Sequence, residues 1–217
     1  MAPAPTVRPM GETAILIDFG GDISTETNER VVALDRALAA QPPLGMVETV
    51  PAYVALMIVF DPLVTDGEHI AAHALGLIET AATEPRTPLE HVIPVRYDAA
   101  SAPDLVAVAQ ATGLSPAEVI RQHLSGEYRV FMYGFGPGYA YLGGVPAPLQ
   151  LPRKPRAERG HPVGSVIIAG PQCLISTLPM PTGWWVIGHT TATILDPMRE
   201  QPFLFDPGDL IRFERAD

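Results

Sequence analysis

A chain of 217 residues with 47% hydrophobic content can bury a real core and holds one large domain or two small ones, with two the favoured division. Its formal charge of −10 repels phosphate backbones and anionic lipid, which argues against a general nucleic-acid or membrane-surface role. The single cysteine, Cys173, rules out an internal disulfide and a multi-cysteine metal site, and no apolar run reaches the ~18 residues that span a bilayer, so a soluble protein of a reducing, cytoplasmic compartment is expected.

In chain order, the opening MAPAPTVRPM lacks the layout of a secretory signal. ETAILIDF (12–19) then reads as a strand running into a polar turn. The spacing of Val31, Leu34 and Leu38 predicts a helix, capped by Ser24 or Thr25 and stopped at Pro42. Two strands follow, MVETV and AYVALMIVF, the second so continuously apolar that it belongs in the middle of a sheet. Asp66 caps a second helix whose buried stripe is Ile70, Ala74, Leu77 and Ile78. HVIPVRY (91–97) alternates like a strand that Pro94 confines to an edge or a strand end. The order β-α-β-β-α-β predicts a two-layer α+β sandwich of split βαβ type over residues 1–86, with TEPRTP (83–88) as the linker and the last strand assignable to either side.

Two short helices come next, the second opened by the capping box SPAE (115–118). From residue 128 short β-rich runs alternate with Pro and Gly: YRVFMY, GSVIIAG, CLIST, WWVIGH, TATIL, PFLF and DLIRFE. That rhythm predicts an all-β sandwich or barrel over residues 87–217.

Several residues invite chemistry. His69 and His73 stand four apart on a helix, but without a third ligand or an HExxH pattern no metal site is expected. Cys173 could act as a nucleophile beside His161 or His189, yet nothing nearby lowers its pKa. Ser165 lacks the G-x-S-x-G elbow. GFGPGYAYLGG is neither a P-loop nor a GxGxxG loop; its glycines allow close backbone approach, Pro137 stiffens the turn, and Phe135, Tyr139 and Tyr141 supply rigid walls. It is either a pocket lip or a tight turn with its rings in the core. PRKPRAER (152–159) is a local basic patch in an acidic chain and carries Lys154, the single lysine.

VPAYVALMIVFDP, IPVRYD, PDLVAVAQATGLSPAEVI, GFGPGYAYLGG, LPRKPR, PVGSVIIAG, GWWVIG and PGDLIRF occur in the order and at the spacings of the allophanate hydrolase subunit 1 family, which the chain resembles over nearly its whole length. This family includes the Kip inhibitor of a sporulation kinase and the B-subunit of bacterial 5-oxoprolinase. The resemblance implies a small α+β N-terminal domain followed by a cyclophilin-like β-barrel. It implies a polypeptide that works with an A-subunit of LamB/YcsF type and a C-subunit of allophanate hydrolase subunit 2 type. Together they would convert 5-oxoproline to L-glutamate with ATP and Mg²⁺, and this chain would be inactive alone. Two other settings of the family stay open, a carboxyltransferase domain of urea carboxylase and a Kip-type protein binding a sensor histidine kinase. Barrel shape alone would also admit a peptidyl-prolyl isomerase.

The same resemblance supplies candidate residues. Arg153 and Arg156 match the family's PR-x₂-R element, and with backbone amides near Gly136 and Gly138 they would form an anion site beside the aromatic turn. Phe135, Gly136, Pro137, Gly138, Tyr139, Ser165, Gln172, Trp184 and His189 fall on further family positions and are candidate substrate or cofactor contacts. His123 matches a family histidine and would be either a proton carrier or a hydrogen-bonded structural residue. The chain departs from the family where His189 stands in place of arginine and Thr191 in place of proline, which alters the charge of any anion pocket there.

Overall fold

In the computed structural model, which describes residues 4–81 and 87–216, the chain divides into two units, Met1–Thr87 and Pro88–Asp217. Residues 83–86 of the expected linker lie outside the described residues.

The first unit runs β1 (Thr6–Pro9), β2 (Ala14–Asp18), α1 (Thr25–Ala40), β3 (Met46–Pro51), β4 (Ala55–Phe60) and α2 (Gly67–Ala81). Both helices begin where a short polar side chain takes up free backbone amides. Ser24 Oγ accepts from Thr27 N at 3.1 Å, and the Asp66 carboxylate accepts from the amides of Glu68 and His69 at 3.0 and 2.9 Å. The sheet order is β1-β2-β4-β3, with every neighbouring pair antiparallel. Because β2 and β3 both oppose β4, they run parallel to each other with β4 inserted between them, which is the split βαβ arrangement. Ile15, Ile17, Leu56 and Ile58 pack against Val31, Leu34 and Leu38 of α1 and Ile70 and Ala74 of α2.

The outer position beside β2 differs from the expected order. The N-terminal strand β1 fills it, and the run 91–97 pairs inside the second unit instead. All four residues of β1 are exposed, so no apolar alternation marks it; its backbone ladder to β2 and an Arg8–Asp18 ion pair at 3.0 Å hold it.

The second unit contains β5 (Glu90–Val95), α3 (Leu105–Thr112), α4 (Pro116–Leu124), β6 (Tyr128–Tyr133), β7 (Ala140–Gly143), β8 (Ser165–Ala169), β9 (Gln172–Ile175), β10 (Trp185–His189) and β11 (Leu210–Arg215). Its seven strands are ordered β10-β8-β9-β7-β6-β11-β5. The two ends meet: Arg96 N donates to His189 O at 2.8 Å and His189 N to Arg96 O at 3.0 Å, which draws the sheet into a barrel. TATIL and PFLF, expected as strands, make one bridge, Leu195 to Phe203. Pro197, Pro202 and Pro207 interrupt this stretch and cannot donate to a ladder.

Val166, Ile168, Cys173, Ile175 and Leu142 fill the larger core with Tyr128, Phe213, Val108 of α3 and Val119 of α4. The alternate residues of the same strands, Ile167, Ala169, Leu174 and Val186, are also buried, in a second cluster with Tyr139 and Trp184. A strand buried on both faces needs cover on each. Segments 151–161 and 176–184 run past this second face, and a cavity lies beneath them.

Candidate functional site

The cavity has a volume of about 320 Å³. One wall comes from the turn joining β6 to β7. Gly134 N donates to Tyr139 O at 3.2 Å, Tyr139 N to Gly136 O at 3.1 Å and Gly136 N to Gly134 O at 2.8 Å. At Gly138 φ is +73°, and a Cβ there would lie 3.0 Å from Leu195 Cβ, so a larger residue would be strained by conformation and crowded by its neighbours. The Thr177 hydroxyl fastens the turn from outside by donating to Pro137 O at 2.6 Å.

This turn displays one ring and packs the other. Phe135 has φ +67°, the one positive value at a non-glycine among the described residues, and the residue is 74% exposed. A bulky, largely exposed residue in the left-handed region gains little folding energy there to offset its backbone strain. Tyr139 is buried; its ring meets Phe135 edge-on at 5.6 Å, and its hydroxyl donates to Leu178 O.

Opposite stands the basic segment. The Arg153 guanidinium lies 5.5 Å from the Trp184 ring centroid, and Tyr141 meets the same tryptophan edge-on at 6.0 Å. The Lys154 side chain is only 6% exposed, with Nζ 2.8 Å from Asp104 Oδ2 and 2.7 Å from Glu158 Oε2. Burial works against its charge, but hydrogen bonds to both carboxylates outweigh it and hold the ammonium above its usual pKa. Backbone pairing anchors the segment: Lys154 N donates to Gly183 O at 2.7 Å, and Glu158 and Thr182 exchange two bonds of 2.9 Å.

The remaining wall carries His161, Ser165 and Ser176. Both serine hydroxyls donate to Pro162 O, at 2.7 and 3.1 Å, and Ser176 Oγ accepts from Ser165 N at 3.0 Å. His161 Nε2 is buried without a hydrogen-bond partner among the described residues and lies 4.0 Å from Glu158 Oε2. The cavity thus combines aromatic and aliphatic walls with one guanidinium, one imidazole and a few fixed hydroxyls, a composition suited to a small planar anion or amide.

The expected site residues separate into those the cavity gathers and those it does not. Phe135, Tyr139, Arg153, Ser165 and Trp184 line it together. Gly136, Pro137 and Gly138 build the turn behind the rings, and the Gly136 amide is engaged within that turn, so it does not serve the expected anion site. Arg156 is exposed and lies off the cavity lining, so the expected pair of guanidiniums reduces there to Arg153. Gln172 opens β9, in register with Gly143 and Ala169, and is not among the residues lining the cavity. His189 Nε2 donates to Val163 O at 2.9 Å, and the residue lines a neighbouring cleft that shares Ser176.

His123 is corrected as a proton carrier. Its side chain is fully buried, Nδ1 shares a 2.7 Å hydrogen bond with the Tyr97 hydroxyl, and its ring stacks on Phe213 at 4.6 Å. Burial lowers its pKa to about 3, so it is a neutral core residue. Cys173 is likewise sealed in the core, and burial pushes its thiol pKa up, away from thiolate chemistry. His69 and His73 turn to separate partners, the Asp66 carboxylate and Gln41 O.

Residues 5–205 match the family described as carboxyltransferase domain, subdomain C and D. The chain belongs to this family. It is 35% identical to the 5-oxoprolinase B-subunit of Escherichia coli O157:H7 over 94% of this chain and 93% of that one. Among solved structures, TTHA0988 superposes with a TM-score of 0.84 at 37% identity, covering 98% of this chain; the chain spans 40% of the length of TTHA0988. The Kluyveromyces lactis urea carboxylase shares the fold, with a TM-score of 0.74 at 16% identity over 98% of this chain and 22% of that one. An α+β domain followed by a barrel is therefore the architecture of this carboxyltransferase-domain chain.

Sequence reasoning gave Tyr141 as a wall of the aromatic turn, named Lys154 and His161 without assigning them to this cavity, and missed Ser176. One signal was present: GSVIIAG and CLIS are apolar at consecutive positions, which implies two buried faces and hence a cover outside the barrel.

Proposed function

We propose that this chain is the B-subunit of an ATP-dependent 5-oxoprolinase, acting with its A- and C-subunits to open 5-oxoproline to L-glutamate in the cytoplasm. The observation that carries the reading is the near full-length likeness to a 5-oxoprolinase B-subunit. The cavity supports it chemically. A five-membered lactam is flat enough to lie against Trp184, and its carboxylate matches the Arg153 guanidinium.

ATP with Mg²⁺ belongs to the reaction of the complex, but the cavity residues do not fit a triphosphate. The Lys154 charge is taken up by Asp104 and Glu158, the Gly136 amide is engaged in its own turn, and Arg153 is the single guanidinium among the described lining residues. In this reading the nucleotide sits on a companion chain, and the present polypeptide holds and orients the lactam. The greater length of TTHA0988, of which this chain spans 40%, supports a companion polypeptide. The urea carboxylase likeness supports a shared fold and leaves a carboxyltransferase role as the second reading.

Co-expression with the genomic neighbours tests the proposal. A purified complex that forms glutamate and ADP from 5-oxoproline and ATP is expected, with this chain alone inactive. A complex that assembles and leaves 5-oxoproline intact would refute it.

A further inference from the structure

We infer that Arg156 and Arg159 form a docking surface for an acidic, carboxylate-bearing face of a companion polypeptide, seated on the rim of the cavity. The inference rests on the reading that this chain works within a complex. It goes further by naming the surface and the charge of what binds it.

Carboxylates outnumber cations in this chain by 24 to 14, so a surface arginine has many internal partners to choose from. Arg8, Arg96, Arg121, Arg199 and Arg212 take one, pairing with Asp18, Asp98, Glu118, Asp196 and Glu90. Arg156 and Arg159 do not. Both are exposed, and neither meets a carboxylate or a hydrogen-bond acceptor among the described residues. Glu158 stands between them in sequence, but its carboxylate is taken up by Lys154 Nζ at 2.7 Å. Two planar guanidiniums, each able to bind a carboxylate through a double hydrogen bond, are therefore left open on a chain of net charge −10.

The backbone that carries them is fixed. Lys154 N donates to Gly183 O, Glu158 and Thr182 exchange two bonds, and the Lys154 side chain is tied to Asp104. Arg156 lies midway between these anchors and Arg159 directly after the second, so a partner meets a surface already formed and spends less on ordering it. The location matters as well. Ala157, next to Arg156, lines the cavity together with the exposed Phe135, so this segment is part of the cavity rim. Arg156 and Arg159 themselves are not among the lining residues, so a small ligand inside the cavity does not use them.

Duplex nucleic acid is also attracted to guanidinium groups, but the overall negative charge of the chain opposes a long polyanion beyond the patch. A protein face needs to match the patch alone. Complementarity of that kind raises the association rate and falls away with salt.

Binding of the full chain to its purified companion subunits at ~0.05 and ~0.5 M salt tests this. Arg156→Gln/Arg159→Gln should weaken association about tenfold at the lower salt, mainly through a slower on-rate, and the gap should close at the higher one. Arg156→Lys/Arg159→Lys keeps the charge and should recover part of the loss. Arg121→Gln/Arg199→Gln makes the same change in net charge elsewhere and should bind within about twofold of wild type. Thermal unfolding at the wild-type temperature verifies that each variant is folded. Unchanged affinity in Arg156→Gln/Arg159→Gln, or an equal loss in Arg121→Gln/Arg199→Gln, overturns the docking surface even where the complex turns over 5-oxoproline. Duplex DNA held by the wild-type chain at ~0.15 M salt and released by Arg156→Gln/Arg159→Gln assigns the patch to nucleic acid and overturns it too. A complex that depends on these arginines and leaves 5-oxoproline intact overturns the functional reading alone, and a wild-type chain that joins no companion overturns both.

Discussion

Lys154 Nζ sits 2.8 Å from the Asp104 carboxylate, tying the single lysine of the cavity wall to the residue that precedes α3. The same carboxylate oxygen accepts from Val186 N at 2.7 Å, so one oxygen holds the basic segment, α3 and β10 together. Lys154→Ala leaves that carboxylate with the Val186 amide but no countercharge and should cost about 3 kcal/mol, as removal of one partner from a largely buried pair does. Thermal unfolding should then shift down by roughly 6–12 °C. Glu158→Gln, at the more exposed end of the lysine's pair, should cost under about 1 kcal/mol. Equal losses in the two variants would show that Asp104 is not the principal partner.

His123 predicts an acid sensitivity with a defined sign. Its folded pKa is lowered to about 3, whereas the unfolded side chain titrates near ~6.5. Between those values the unfolded chain binds a proton that the folded chain refuses, so stability falls as pH drops from ~6.5 toward ~3. In urea unfolding, His123→Gln should be less stable than wild type near neutrality, yet its decline on acidification should be shallower by about 1.4 kcal/mol per pH unit in this window. Parallel curves for the two proteins would contradict the assignment.

Phe135 combines a left-handed backbone with an exposed side chain. Phe135→Gly removes a left-handed non-glycine residue and an exposed ring, so stability should hold or rise by about 1 kcal/mol. The same change removes part of the cavity wall and should raise KM for the lactam in the assembled complex. A variant with lower stability and unchanged KM would assign the ring to packing instead.

Much of the architecture was legible because burial imposes periodicity. The stripes of α1 and α2, the central position of β4 and the capping residues Ser24, Asp66 and Ser115 all follow from local rules, and each is found as expected. β1 was illegible because backbone bonds and one surface ion pair define it, with no apolar pattern to mark it. The barrel closure was illegible for a related reason, since Arg96 and His189 meet through main-chain groups that any residues could supply. At the site, Arg153, Trp184 and the aromatic turn were found from their motifs. Lys154 and His161 were ambiguous, because what distinguishes them is long-range: Asp104 lies 50 residues from Lys154, and the loss of partners at His161 Nε2 is a property of packing.

In the proposed function the aromatic cavity holds the small acid substrate, with Arg153 as its carboxylate partner. Steady-state kinetics of Arg153→Gln in the reconstituted complex address that claim directly. KM for 5-oxoproline should rise roughly 10- to 100-fold, the loss of a charge-assisted hydrogen bond, while the complex assembles as before. A variant complex with wild-type KM and kcat would place the substrate elsewhere and contradict the account.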